Sequence, residues 1–162
     1  ENKKYKGKFL LNLMLDESVH NCVVWLLFIN RNYLSQLGLK FHPGIIHEDE
    51  LFTTILTIKS NSIYCLKQSF VKHRVRSAST MGLRFTKRNL DCYLTVIDEL
   101  FKFQDSPIIR KFAKYTLSKV FYTGHQIPFR DKLPVFWRAC MSGYLKYIGL
   151  KPALVFWIKK KH

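Results

Sequence analysis

Phe41-His42-Pro43-Gly44-Ile45-Ile46-His47-Glu48-Asp49-Glu50-Leu51-Phe52 decides how this chain is read. A Pro-Gly turn and two β-branched residues run into three consecutive acids. Leu51, Ile55 and Ile58 then recur at three- and four-residue steps, which predicts a helix over 50–60. The chain holds 11 acids against 27 bases, so three adjacent acids stand out. Acids gather in the first turn of a helix because the partial positive charge there attracts them. The same field keeps a carboxylate ionised, which a general base requires. The stretch reads either as a helix start or as a catalytic acid cluster.

Working outward, residues 7–15 read as a short buried helix and 33–37 as another, started at Asn30-Arg31-Asn32 and stopped by Gly38. Between them, 22–29 is a continuous apolar run whose length and β-branched content suit a buried strand, with a helix as the alternative. Downstream, 63–66 and 70–76 read as two consecutive strands, followed by a small polar loop over 77–80. After Arg84 the pattern changes. Leu90, Tyr93, Leu94, Ile97, Leu100 and Phe101 recur at helical spacing. Pro107 opens a second helix that ends before Gly124. A third is expected over 131–147, with Pro134 in its first turn, and a last short one over 152–161. The expected class is α/β, with short mixed strands in the first half and a helical second half. It divides into 1–83 and a basic extension over 84–162.

At 162 residues the chain is long enough for a real core, and 48% hydrophobic with 15% aromatic residues is far from a disordered composition. The net charge of +16 implies an anionic partner: nucleic acid, membrane surface or phosphorylated substrate. That charge is uneven. Residues 106–162 hold 12 Lys/Arg and one acid, Asp131, hence +11 of the +16. Cys22, Cys65, Cys92 and Cys140 lie far apart without a C-x-x-C pair, which argues against structural zinc and for buried reduced thiols. No apolar run approaches the roughly 18 to 20 residues needed to span a bilayer, so a membrane role is expected to be peripheral.

Several chemistries lack their motifs. There is no G-x-x-x-x-G-K-[ST], no G-x-G-x-x-G and no G-x-S-x-G. His47-Glu48 lacks the second histidine of a zincin. Glu48 and Asp49 are neighbours whose side chains diverge, so they do not form the facing pair of a glycosidase.

Two segments carry a resemblance. Gly44-Ile45-Ile46-His47-Glu48-Asp49-Glu50-Leu51-Phe52 resembles the Glu-Asp motif region of bacterial family-2 glycosyltransferases. About twenty residues later, Phe70-Val71-Lys72-His73-Arg74-Val75-Arg76-Ser77-Ala78-Ser79-Thr80-Met81 looks like that family's Tyr/His-Arg-x-Arg-x-x-Ser-(Ile)-Met signature. Upstream, Trp25-x-x-x-x-Asn30-Arg31-x-x-Leu34 and Leu39-Lys40-Phe41 fit the pattern before the Glu-Asp motif. The resemblance implies the C-terminal part of an A-type nucleotide-diphospho-sugar transferase fold. It implies inverting transfer from a nucleotide-sugar donor to a glycan or lipid-linked acceptor, as in bacterial polysaccharide biosynthesis. By that likeness Asp49 is the general base, and Glu48 binds acceptor or shapes the helix start. His73, Arg74, Arg76 and Ser79 face the donor diphosphate, His73 is also a candidate metal ligand, and Trp25 walls the acceptor sugar. A guanidinium suits phosphate oxygens bidentately, and leaving-group charge grows in the transition state. The family's Asp-x-Asp motif, which holds a divalent cation (Mg or Mn), is absent from these 162 residues. The expectation is therefore a truncated domain lacking its donor-binding half, inactive alone and prone to self-association through surfaces left uncovered.

The same residues also suit structural roles. Arg74 and Arg76 share one face of a strand and suit a solvated sheet edge, and Trp25 inside an apolar run suits a core. The tail mixes bases with Phe112, Tyr115, Phe121, Tyr122, Phe129, Phe136, Trp137, Tyr144, Tyr147, Phe156 and Trp157. That mixture fits an anionic membrane surface, here the cytoplasmic, inner face of the cell membrane. The competing function is a basic nucleic-acid-binding or interaction module without catalysis, favoured by charge and aromatics alone. No helix-turn-helix, zinc-finger or RNA-recognition signature accompanies them, so no specific nucleic acid is expected.

Overall fold

A computed structural model describes residues 3–72 and 84–159. It is mostly helical, with one small antiparallel sheet of two strands. Helix and strand are both present, as the α/β class broadly requires, but the described residues show no larger mixed sheet. The chain divides into two compact units. Among the described residues the first comprises 3–44 and 48–72, and the second 45–47 and 84–159.

The first unit opens with strand β1 (Lys3–Tyr5) and helix α1 (Gly7–Asp16). A 3-10 turn (Val24–Leu26), α2 (Arg31–Leu37), α3 (Glu48–Lys59) and β2 (Ile63–Cys65) follow. β1 and β2 pair antiparallel with Lys3 opposite Cys65, Lys4 opposite Tyr64 and Tyr5 opposite Ile63. The core is α1 against α3: Leu10, Leu11 and Leu15 meet the side of α3 that buries Leu51, Phe52, Leu56 and Ile58. Phe41 stacks on Phe52 with centroids 4.3 Å apart. α2 is a short helix with both expected ends. The Asn30 side chain accepts from Tyr33 N, and Gly38 caps the other end in the left-handed region at φ 59°.

Two strand expectations fail here. Residues 22–29 are neither strand nor core: they form the Val24–Leu26 turn flanked by extended chain, and Trp25, Leu26, Leu27 and Phe28 are exposed. An apolar run buried on both faces needs sheet neighbours, and the two strands described pair only with each other. Of the expected strand 70–76, residues 70–72 are not in a strand, and 73–76 lie outside the described residues. β1 was not foreseen, because three residues carry too short a pattern to read.

The second unit is a helical assembly: α4 (Lys87–Phe103), α5 (Pro107–Thr123), a 3-10 turn (Gly124–Gln126), α6 (Phe129–Met141), α7 (Leu145–Ile148) and α8 (Leu150–Ile158). α5 is its centre and packs against α4, α7 and α8, while α4 also packs on α6. Leu90, Leu94, Ile97 and Leu100 of α4 are sealed with Ile109, Phe112, Leu117 and Phe121 of α5, Val135, Ile148 and Phe156. Polar ties hold the periphery. Arg138 of α6 donates to Asp91 O (3.0 Å) and to Asp98 Oδ2 (2.8 Å), while the Tyr144 hydroxyl donates to Asp98 Oδ1 (2.6 Å). Residues 45–47 belong to this unit. His47 stacks on Tyr93 at 4.1 Å, and its Nε2 lies 3.1 Å from Asn89 Nδ2.

The helix expected over 131–147 is broken in two. Gly143, at φ 69°, takes the left-handed position after α6. Its N–H donates to Cys140 O (2.9 Å) and Tyr144 N to Ala139 O (2.8 Å), the paired bonds of a Schellman stop. Pro134 lies inside α6 rather than in its first turn, because the helix begins two residues earlier than expected.

Gly7 is where α1 and α3 come closest. Its N–H donates to Ser60 O at 2.9 Å, and a Cβ added there would fall 1.7 Å from Thr57 O. Backbone atoms cannot yield as a flexible side chain would, so Gly7→Ala is expected to destabilise the first unit by about 1–3 kcal/mol. Urea denaturation measures this, and a loss within about 0.5 kcal/mol, the usual surface value, would refute so tight a contact.

Candidate functional site

α3 is the element that places the acids. Glu48, Asp49 and Glu50 occupy its first turn, where the unpaired N–H groups and the helix field favour negative charge. What distinguishes them is what reaches each one. α1 ends at Glu17, and Ser18 turns the chain at φ 55° while Val19 N donates back to Met14 O at 2.9 Å. That reversal brings the segment after α1 onto the first turn of α3. His20 Nε2 lies 3.1 Å from Glu50 Oε2, and the Cys22 thiol donates to Asp49 Oδ2 at 3.5 Å. The other oxygen of Asp49, Oδ1, accepts from Glu50 N at 3.0 Å. Each carboxylate oxygen of Asp49 thus receives one donor, and the side chain is fixed in direction.

Burial sets the electrostatics. Asp49 is half-buried, and loss of water is the largest effect on it, pushing its carboxyl above the ordinary 3.8. The Cys22 hydrogen bond opposes that shift, the Glu50 charge adds to it, and the Glu50 N–H opposes it. The net direction is upward. Cys22 is pushed further, by its own burial first and then by the charges of Glu50 and Asp49. A thiol so placed stays protonated at neutral pH. It is a hydrogen-bond donor rather than a nucleophile.

The expected site residues are distributed as follows. Glu48 and Asp49 stand together on α3. Trp25 sits in the 3-10 turn three residues beyond Cys22 and is 54% exposed, so it is no core residue. His73, Arg74, Arg76 and Ser79 lie outside the described residues. His42 Nδ1 lies 2.8 Å from Pro43 O. Among the described residues no group of three or more His, Cys, Asp or Glu side chains is arranged to hold a metal ion. All four cysteines are free, but only Cys92 is buried, and Cys140 is exposed, against the expectation of buried thiols throughout. Among the described residues no helix is long and apolar enough to cross a membrane.

Sequence reading did not assign His20 or Cys22 to this cluster. They are separated from Glu50 and Asp49 by 30 and 27 residues, and no spacing rule links such positions. The signal available was indirect: an acid triplet in an acid-poor chain leaves more carboxylates than a helix start needs. Comparison of the chain with protein-family models, with curated proteins and with solved structures gives no match.

The raised pKa of Asp49 has a measurable consequence. Below about 3.8 its carboxyl is protonated whether the chain is folded or unfolded, and burial costs nothing. As pH rises through the folded-state value, the ionised group becomes a charge held partly out of water, and that stability is lost. Asp49→Asn keeps the shape and the acceptor oxygen. It is expected to raise the thermal midpoint near pH 7 and to lose that advantage as pH falls toward 3.8. Melts across the range decide it, and an Asn variant less stable than wild type near neutrality would contradict the assignment.

Proposed function

We propose that this chain is the acceptor-side part of an inverting glycosyltransferase of the family-2, A-type kind, with Asp49 as its general base. One observation carries the reading. Among three first-turn acids, Asp49 has a carboxylate aimed by two donors and made more basic by partial desolvation. A base whose pKa is lifted toward the working pH transfers protons more effectively than an ordinary carboxylate. Its place in the Glu-Asp stretch is the one the family resemblance assigns.

In this mechanism the acceptor hydroxyl gives its proton to Asp49 as its oxygen attacks the anomeric carbon of the donor sugar. The bond from that carbon to the diphosphate oxygen breaks on the opposite face, and configuration inverts. Arg74 and Arg76, with His73 and Ser79, stabilise the charge gathering on the departing diphosphate. Glu48, adjacent in the same turn, binds acceptor, and Trp25 offers an exposed ring on which a sugar stacks. His20 and Glu50 are positioning residues that keep the segment carrying Cys22 against α3. This mechanism also requires a donor-binding half with its divalent cation.

The experiment is a transfer assay on the full gene product, surveyed across UDP-, GDP- and dTDP-sugars. Asp49→Asn is expected to lower kcat by about 10²–10⁴-fold, the usual worth of a general base, with donor Kd within about twofold of wild type. Arg74→Ala with Arg76→Ala is expected instead to weaken donor binding by about tenfold or more. Retained turnover in Asp49→Asn removes the base. Binding of a nucleic-acid duplex that collapses with salt, with no transfer to any acceptor, would favour the basic interaction module.

A further inference from the structure

The second unit leaves two apolar ridges in water. On α6, Phe129, Leu133, Trp137 and Met141 recur every fourth residue and all are exposed, Trp137 by 67%. On α8, Leu150, Leu154 and Ile158 repeat the same step and are exposed too, Leu150 by 86%. The opposite sides of these helices are what the core holds: Val135 and Ala139 on α6, Phe156 on α8. The ridges are joined. The Trp157 ring of α8 meets Phe129 at 5.9 Å and Phe136 at 5.3 Å between centroids, so the start of one ridge touches the helix that carries the other. The two helices are also fixed together beneath, where the buried Lys132 ammonium of α6 donates to Phe156 O near the end of α8. The result is a joined apolar surface rather than scattered exposed residues.

We propose that the α6–α8 surface docks on an anionic lipid bilayer, with the ridge side chains entering the headgroup–acyl boundary. Charge selects this occupant. Exposed Arg130 follows Phe129 directly, exposed Lys151 follows Leu150, and exposed Lys159 follows Ile158. Bases therefore stand at the start of α6 and at both ends of α8, where long cationic side chains reach headgroups while apolar neighbours go deeper. Over residues 106–162 one acid faces 12 bases, so a second copy would bring like charge against like at this face. An anionic bilayer supplies both the apolar layer and the counter-charge. Tryptophan suits the boundary because its ring is apolar and its N–H finds a wet partner. Both helices lie in the basic, aromatic tail expected to meet a membrane, and the structure shows which of its side chains face outward. The surface belongs to the second unit and the Asp49 cluster to the first, and the proposal stands or falls without the transfer reaction.

Sedimentation with phosphatidylcholine vesicles containing phosphatidylserine, against phosphatidylcholine alone, tests it. The chain is expected to bind the anionic vesicles, less so at high salt. Trp137→Ser with Leu154→Ser should lower partitioning by about tenfold or more at unchanged circular dichroism. Arg130→Gln or Lys151→Gln should each lower it by about fivefold. Phe28→Ser, on the exposed run of the first unit, and Asp49→Asn should leave it within about twofold. Should the ridge variant fold poorly, Trp137 reports alone: with Trp25→Phe and Trp157→Phe in place, its emission should shift to the blue on anionic vesicles. Undiminished partitioning of the ridge variant, unmoved Trp137 emission, or no vesicle binding at all overturns the proposal. So does a dimer abolished by the ridge variant in a chain that ignores vesicles, which would assign the surface to a second copy.

Discussion

A carboxylate kept partly out of water must be held there by something rigid, and in the first unit that is the contact of α1 with α3. Gly7 allows the start of α1 to lie against the last turn of α3, where any side chain would collide with the Thr57 carbonyl. Three leucines of α1 then seal the buried side of α3. With the helices fixed, the direction of the chain leaving α1 is fixed as well, and the left-handed Ser18 returns it toward the first turn of α3. The placement of His20 against Glu50 and of Cys22 against Asp49 follows from that turn. The acid cluster is thus a product of a helix pair packed at backbone distance, reached through a few residues of irregular chain.

The second unit solves its packing around α5, and its polar ties sit where helices meet. Asp98 is the most loaded of these groups, accepting from the Arg138 guanidinium and from the Tyr144 hydroxyl. Burial and the Asp98 charge together push Tyr144 upward, so its hydroxyl remains a donor through neutral pH. Lys132 is a rarer device. It is only 5% exposed, and burial pulls its pKa down, yet it keeps two compensations: the Phe156 carbonyl and the face of the Phe156 ring, 5.4 Å away. Carbonyls near the end of a helix carry its negative pole, so a cation there is less costly than elsewhere in a core. Gly124 completes the arrangement, since a Cβ there would press on Phe156 and Leu90.

Much of the helical content was legible, because capping and periodicity are local. Gly7 to Asp16, the Asn30 and Gly38 caps of α2, the first turn of α3, and Pro107 at the start of α5 all follow from residues within a turn of the event they mark. Of the strands, Ile63–Cys65 was legible inside the expected 63–66, whereas Lys3–Tyr5 and the fate of 22–29 were not. Residues 22–29 have a strand's composition, but composition states only that a segment is apolar, not that a partner exists to cover it. The break at Gly143 was missed because a glycine within an apolar periodic stretch reads equally well as a tolerated interruption. Of the site, the acids could be seen and their neighbours could not. His20 and Cys22 reach Glu50 and Asp49 across sequence separations of 30 and 27, and no periodicity encodes a tertiary return.

Glu48-Asp49-Glu50 was first met with two accounts, a helix start and a catalytic cluster, and the three acids differ in their surroundings. An acid present only to complement a helix N-terminus is solvated and is stabilised in its charged form by the helix field. Asp49 goes the other way: withdrawal from water dominates, and its carboxyl is raised despite the helix field and two hydrogen bonds to its oxygens. Glu50 lies instead beside His20, which anchors the segment that causes that withdrawal. One acid is thus held at a cost while its neighbour helps to hold it there. A helix start alone does not need such a division, since an exposed serine or asparagine caps at no such cost. Under the proposed reading it is the setting in which Asp49 takes the acceptor's proton.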